Sequence, residues 1–116
     1  MDIAELTDRV EYVSAGYADH YAVERTDEWI LLKLTEEVGE LVQAHLTASG
    51  QGRDRGLSQA EQDARTASEL ADVIGMCLVF ARSRGIDVSQ AMHDKWLQYE
   101  DFHRGRGFST DVGSPA

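Results

Sequence analysis

Apolar residues recur at helical spacing through three long segments. In the first, Ile3, Leu6, Val10, Val13 and Tyr17 alternate at intervals of three and four, which lays them along one face of an α-helix. Asp2 and Glu5 stand where an N-terminal cap belongs, so a helix of about 20 residues is expected, with Tyr17 and Tyr21 packing in the core or an interface. The second segment begins after Thr26, an N-cap residue followed by Asp27 and Glu28, acids suited to the positive end of the helix dipole. It runs to about Ala48 before Gly50 stops it. The third opens on a capping box, Ser58 with Glu61, and continues to Arg84, where Gly85 supplies the stop. Its second half, LADVIGMCLVFA, is apolar on nearly every side, as in a helix surrounded by others, and Cys77 within it is expected in the core. A fourth helix is expected from Asp87, with Gln90 in the capping position, carrying Ala91, Met92 and Trp96 inward and decaying near His103.

No stretch alternates as a strand would. The expectation is an all-α fold, four-helix and bundle-like, with antiparallel long helices. Residues 1–104 read as a single domain and 105–116 as a flexible tail.

Charge narrows the partners. Twenty-one acids against 11 Lys plus Arg give a net charge of −10, which argues against gripping a nucleic-acid backbone. A small anion would have to enter through a bound cation or a local basic patch. Cys77 is the only cysteine, so no internal disulfide forms, and no segment reaches the ~20 apolar residues of a membrane span. MDIAELTDRVEY lacks the basic and apolar regions of a signal peptide, so the expected location is cytoplasmic, without a membrane partner. The loop GQGRDRG, Gly50 to Gly56, is not a phosphate loop: Arg55 replaces the third glycine and no strand precedes it. Arg53 in that loop is a candidate anion contact.

The carboxylates are the informative feature. On a helix that turns about 100° per residue, with Glu37 at zero, Ile30, Leu41, Leu34 and Val38 lie between about 20° and 100°, Glu40 at about −60° and Glu36 at about −100°. Glu37 therefore borders the apolar stripe, and Glu40 aims near the same point. On the third helix Asp72 lies about 60° from Glu69, and Val73, Met76 and Phe80 fall within about 40° of Glu69. Ionised carboxylates in such a setting require compensation. Lys33 sits one turn before Glu37 but cannot neutralise four or five acids, and the third helix offers only Arg65 and Arg82, read as distant turns. An all-oxygen ligand set without histidine or cysteine at helical spacing suits Mg²⁺ or Mn²⁺ rather than zinc. A di-iron bundle would need two ExxH motifs, and only Glu100 to His103 forms one.

Glu36-Glu37-Val-Gly-Glu40 on one helix and Glu69-Leu-Ala-Asp72 on the next, within LLKLTEEVGEL and ELADVIGMCLV, resemble the EExxE and ExxD motifs of the MazG-like all-α nucleoside triphosphate pyrophosphohydrolases, relatives of the dimeric dUTPases. The resemblance runs from about residue 26 to Lys95. It implies Mg²⁺-dependent hydrolysis of a nucleoside triphosphate, non-standard or surplus nucleotides included, to the monophosphate and pyrophosphate. By position, Glu37, Glu40, Glu69 and Asp72 would hold the metal, and Glu36 would be an outer metal contact or the base that orients water. Lys95 matches a phosphate-binding lysine of the family, although Tyr99, Glu100 and Asp101 stand where its polar partners are expected. Trp29 either stacks on a base or packs an interface, and Lys33 joins it as a candidate substrate contact.

The apolar faces of the first and third helices ask for more neighbours than one chain provides, so a homodimer or a dimer of dimers is expected, as the resemblance also implies. Two other readings stay open from the sequence: a non-catalytic helical module that binds metal and nucleotide, and a purely structural helical dimer.

Overall fold

The computed structural model describes residues 1–53 and 55–110. All regular elements among them are helical: α1 (Ile3–Tyr21), α2 (Asp27–Ala48), α3 (Gln59–Ser83), α4 (Val88–Lys95), a 3-10 turn (Leu97–Tyr99) and α5 (Glu100–Gly105). The all-α expectation holds at this level. Each long helix starts where its cap lies. The Asp2 carboxylate accepts from the Glu5 N–H at 2.8 Å, Thr26 Oγ1 from the Trp29 N–H at 3.1 Å, and Ser58 with Glu61 form the reciprocal box. Gly85 adopts φ 65°, a left-handed conformation that lets the Ile86 N–H reach back to the Ala81 carbonyl at 2.8 Å and close α3.

α2 and α3 form an antiparallel hairpin packed along its length. At one end Ser83 Oγ donates to the Asp27 carboxylate, which also pairs with Arg84 at 3.2 Å, joining the start of α2 to the end of α3. These contacts hold the Asp27 carboxyl below its ordinary range, the Ser83 hydrogen bond most of all. Ile30, Ala44, Leu78, Val79 and Ala81 supply most of the buried core. α1 rests on α3, where a Cβ added to Gly75 would stand 3.9 Å from Val10 Cγ1, and Arg82 reaches Asp8 at 3.1 Å. The linker after α1 is tied back by Arg25, whose guanidinium grips Glu11 at 2.7 and 3.0 Å and donates to Ser14 at 3.1 Å.

Three expectations are corrected. Cys77 is exposed, because the side of α3 that carries it is left uncovered by the described residues. For the same reason α3 is not surrounded: Leu70 and Ile74 beside Cys77 are exposed too. The fourth helix stops at Lys95, and Ala91, Met92 and Trp96 face outward, Trp96 being 68% exposed. α4 packs on the body mainly through α1, and a short helix with so little packing has little to extend it. Beyond α5, the Phe108 N–H donates to the His103 carbonyl at 3.1 Å, and Arg106 lies 4.8 Å from the Phe108 ring centroid. The last part of the expected tail, 111–116, lies outside the described residues.

Candidate functional site

The angular positions on α2 and α3 translate into a shared site. Ligand oxygens of Glu37, Glu40 and Glu69 lie within 4.8 Å of one another. Glu37 is only 8% exposed, Glu69 is half-buried and Glu40 is exposed. Glu37 Oε2 and Glu69 Oε2 are buried without a hydrogen-bond partner. A carboxylate oxygen left in that condition is costly unless a proton or a cation meets it. Burial first, then the fields of Glu40 and Asp72, push the Glu37 carboxyl up from its usual value. The same sequence of causes raises Glu69.

Asp72 departs from the expected ligand set. It is exposed and falls outside the group of three, yet its charge acts on both Glu37 and Glu69, which keeps it at the edge of the site. Glu36 is exposed and pairs with Lys33 at 3.5 Å, while Lys33 also stands 3.7 Å from Glu37. Burial alone would lower the Lys33 pKa, but Glu36 and Glu37 outweigh it and leave it raised.

Beside the acids, α1 and α2 flank an open cleft of about 600 Å³ whose floor is α3. Trp29, Lys33 and Glu37 form its α2 wall, Val10, Val13 and Tyr17 its α1 wall, and Asp72, Gly75, Met76 and Val79 its floor. Among the other expected substrate contacts, Lys95 and Arg53 are exposed and line neither the cleft nor the acid group. In the loop that carries Arg53, the Gln51 and Gly52 N–H groups both donate to the Leu46 carbonyl at 2.8 Å. Those donors finish α2 instead of facing an anion.

Sequence reasoning passed over two features. Arg65, read as a distant turn, is four residues before Glu69, one helical turn away, and its charge opposes the rise in the Glu69 pKa. Its Nη1 is buried with no hydrogen-bond partner. The i, i+4 spacing was the available signal. Arg9 of α1 also lines the cleft, but nothing in its local spacing connects it to acids on other helices.

No protein-family model matches the chain, and neither the curated proteins nor the solved structures contain a match. Function therefore rests on the site itself. The donor set fits a hard divalent cation: carboxylates alone, converging from two helices, two of them holding a buried oxygen without a partner. Cysteine and histidine take no part in the group.

Proposed function

We propose that the chain is a Mg²⁺-dependent nucleoside triphosphate pyrophosphohydrolase with a MazG-type fold, releasing pyrophosphate and a nucleoside monophosphate. The observation that carries this reading is the convergence of Glu37, Glu40 and Glu69 with two orphaned buried oxygens beside an apolar cleft. Those three residues would hold the cation, with Asp72 adjusting its field from the edge. Bound there, Mg²⁺ (or Mn²⁺) supplies charge against phosphate oxygens and makes a coordinated water more acidic.

The chain's own groups supply the rest. Lys33 and Arg9 bring positive charge to a cleft in an otherwise acidic protein, so a polyphosphate has a route in. Trp29 and Tyr17 offer flat apolar walls that suit a base. Glu36, exposed and paired with Lys33, would act as the base that takes a proton from attacking water and passes it to solvent. Five acids at one site would account for half of the net charge, which explains why an acidic protein would still handle an anion.

The test is incubation with a panel of ribo- and deoxynucleoside triphosphates plus Mg²⁺, with pyrophosphate measured. Release from at least one nucleotide, lost when Mg²⁺ is withheld, is the expected result. Calorimetry that finds Mg²⁺-dependent nucleotide binding while no nucleotide is cleaved would overturn the catalytic reading.

A further inference from the structure

The acid group has a cation on either side of it along the hairpin. α2 and α3 run antiparallel, with Asp27 bonded to Ser83 and Arg84 at one end. Lys33 stands one turn before Glu37, about 6 Å nearer that end, while Arg65, one turn before Glu69 on the oppositely directed helix, stands about 6 Å nearer the other. At about 100° per residue, Arg65 lies about 40° from Glu69, on the acid side of α3.

The two cations differ in their partners. Lys33 reaches Glu36 at 3.5 Å and Glu37 at 3.7 Å. Among the described residues Arg65 makes no ion pair, whereas Arg9, Arg25, Arg82, Arg84 and Arg104 each reach a carboxylate. Arg65 Nη1 and Glu69 Oε2 are both buried and both unpartnered, so, although one turn apart, they do not satisfy each other. A buried donor left open carries a cost that an acceptor from outside the chain can remove. The guanidinium presents its N–H groups as a fork, which suits two oxygens of a phosphate group.

The extent of the cleft identifies which phosphates these are. Its α2 wall ends at Glu37 and its floor begins at Ala71, so Glu40, Glu69 and Arg65 all lie beyond it. The apolar room for a base, between Trp29 and Tyr17, is on the Lys33 side of the acids. A triphosphate with its base in that room extends past the acids toward Arg65.

Resting on the proposed reaction, we infer that Arg65 binds the two terminal phosphates, those that leave as pyrophosphate, while the nucleoside and its own phosphate stay on the cleft side. Arg65 thereby sets the direction in which the triphosphate lies, and it holds the leaving group through a contact that the nucleoside monophosphate does not make.

The experiment is calorimetry on the full chain, titrating Mg²⁺ alone and then inorganic pyrophosphate in the presence of Mg²⁺. Wild type is expected to bind pyrophosphate, and Arg65→Gln to bind Mg²⁺ but hold pyrophosphate at least about tenfold more weakly, as when a hydrogen bond to a charged group is lost. Arg53→Gln, a change at an exposed arginine outside the cleft and the acid group, is expected to match wild type. With the nucleotide that the panel selects, inhibition by pyrophosphate should weaken in Arg65→Gln by a similar factor, and inhibition by the monophosphate should not change. If Arg65 only balances the acids, its loss tightens Mg²⁺ binding and leaves the pyrophosphate affinity as it was, and that result overturns the proposal. So does a variant in which inhibition by the monophosphate weakens instead. A panel in which no nucleotide is cleaved defeats the proposed reaction, and the calorimetry still decides whether Arg65 holds pyrophosphate. Should Arg65→Gln fail to fold, Arg65→Lys, which keeps the charge and loses the fork, takes its place, and a pyrophosphate affinity equal to wild type overturns the proposal there as well.

Discussion

The two sides of the α2–α3 hairpin are built from the same helices and differ in almost everything else. One side carries Glu37, Glu40, Glu69 and Asp72, is partly roofed by α1 and opens into a cleft. The other carries Leu31, Val38, Val42, Leu70, Ile74 and Cys77, all uncharged and all exposed among the described residues. A helix that must hold anions on one side cannot also gain its stability there, because crowding carboxylates raises the free energy of the folded state. Ile30, Ala44 and Val79, buried between the helices, offset that cost.

The largest expected effect breaks the acid side from within. Glu69→Gln removes an orphaned, half-buried oxygen donor from the group, and is expected to slow Mg²⁺-dependent pyrophosphate release by about 10²–10³-fold, as when one charge-stabilising contact is lost. Asp72→Asn, exposed and outside the group, is expected to cost about 10-fold, the lower end of the effect of an outer residue on a metal site. Steady-state rates for the two variants check the ranking, and equal losses would dissolve the distinction between them.

Stability against pH separates the two sides next. Glu37 and Glu69 have folded-state pKa values raised above the ordinary 4.5, chiefly by burial. In the window between that ordinary value and their raised values, the native state binds more protons than the unfolded state. Metal-free stability is therefore expected to fall as pH rises through the window, and to level off above it. A saturating cation should reverse the trend, adding about 2.7 kcal/mol at 100 times its Kd near neutral pH and little under acid conditions, where its ligands are protonated. Thermal melts with EDTA and with Mg²⁺ across pH 4–8 read both trends, and parallel curves would contradict them.

The smallest effect lies on the outer surface of α2, between the two sides. Gly39 interrupts the EEVGE run, is exposed, and has open space where a Cβ would stand. Gly39→Ala is expected to stabilise the protein by about 0.8–1 kcal/mol through helix propensity alone, measured by urea unfolding. A loss of stability would mean that something packs closely against that turn.

Much of the fold was legible because it is local. Asp2, Thr26, Ser58 and Asp87 mark helix starts through hydrogen bonds to residues three positions on, a relation the sequence displays directly. The burial of Glu37 was legible for a similar reason, since its angle places it at the rim of the stripe led by Ile30. What periodicity could not supply was the identity of the neighbour. Cys77, Met92 and Trp96 lie on faces that ask to be covered, but an apolar pattern does not say whether its own chain does the covering. Asp72 was similarly unresolved: helical angle sets a direction, whereas depth depends on how closely α1 approaches α3 at Gly75.

The central claim is that Glu37 and Glu69, each with one buried oxygen lacking a partner, hold a cation for triphosphate cleavage. Its most direct test places wild type and Glu37→Gln side by side with Mg²⁺ and the nucleotide that the panel selects, following pyrophosphate release while circular dichroism verifies that both are folded. Wild type should turn over only with Mg²⁺, and the folded variant should be at least about 10²-fold slower. Equal turnover by the two proteins, or wild-type turnover undiminished in EDTA, would contradict it.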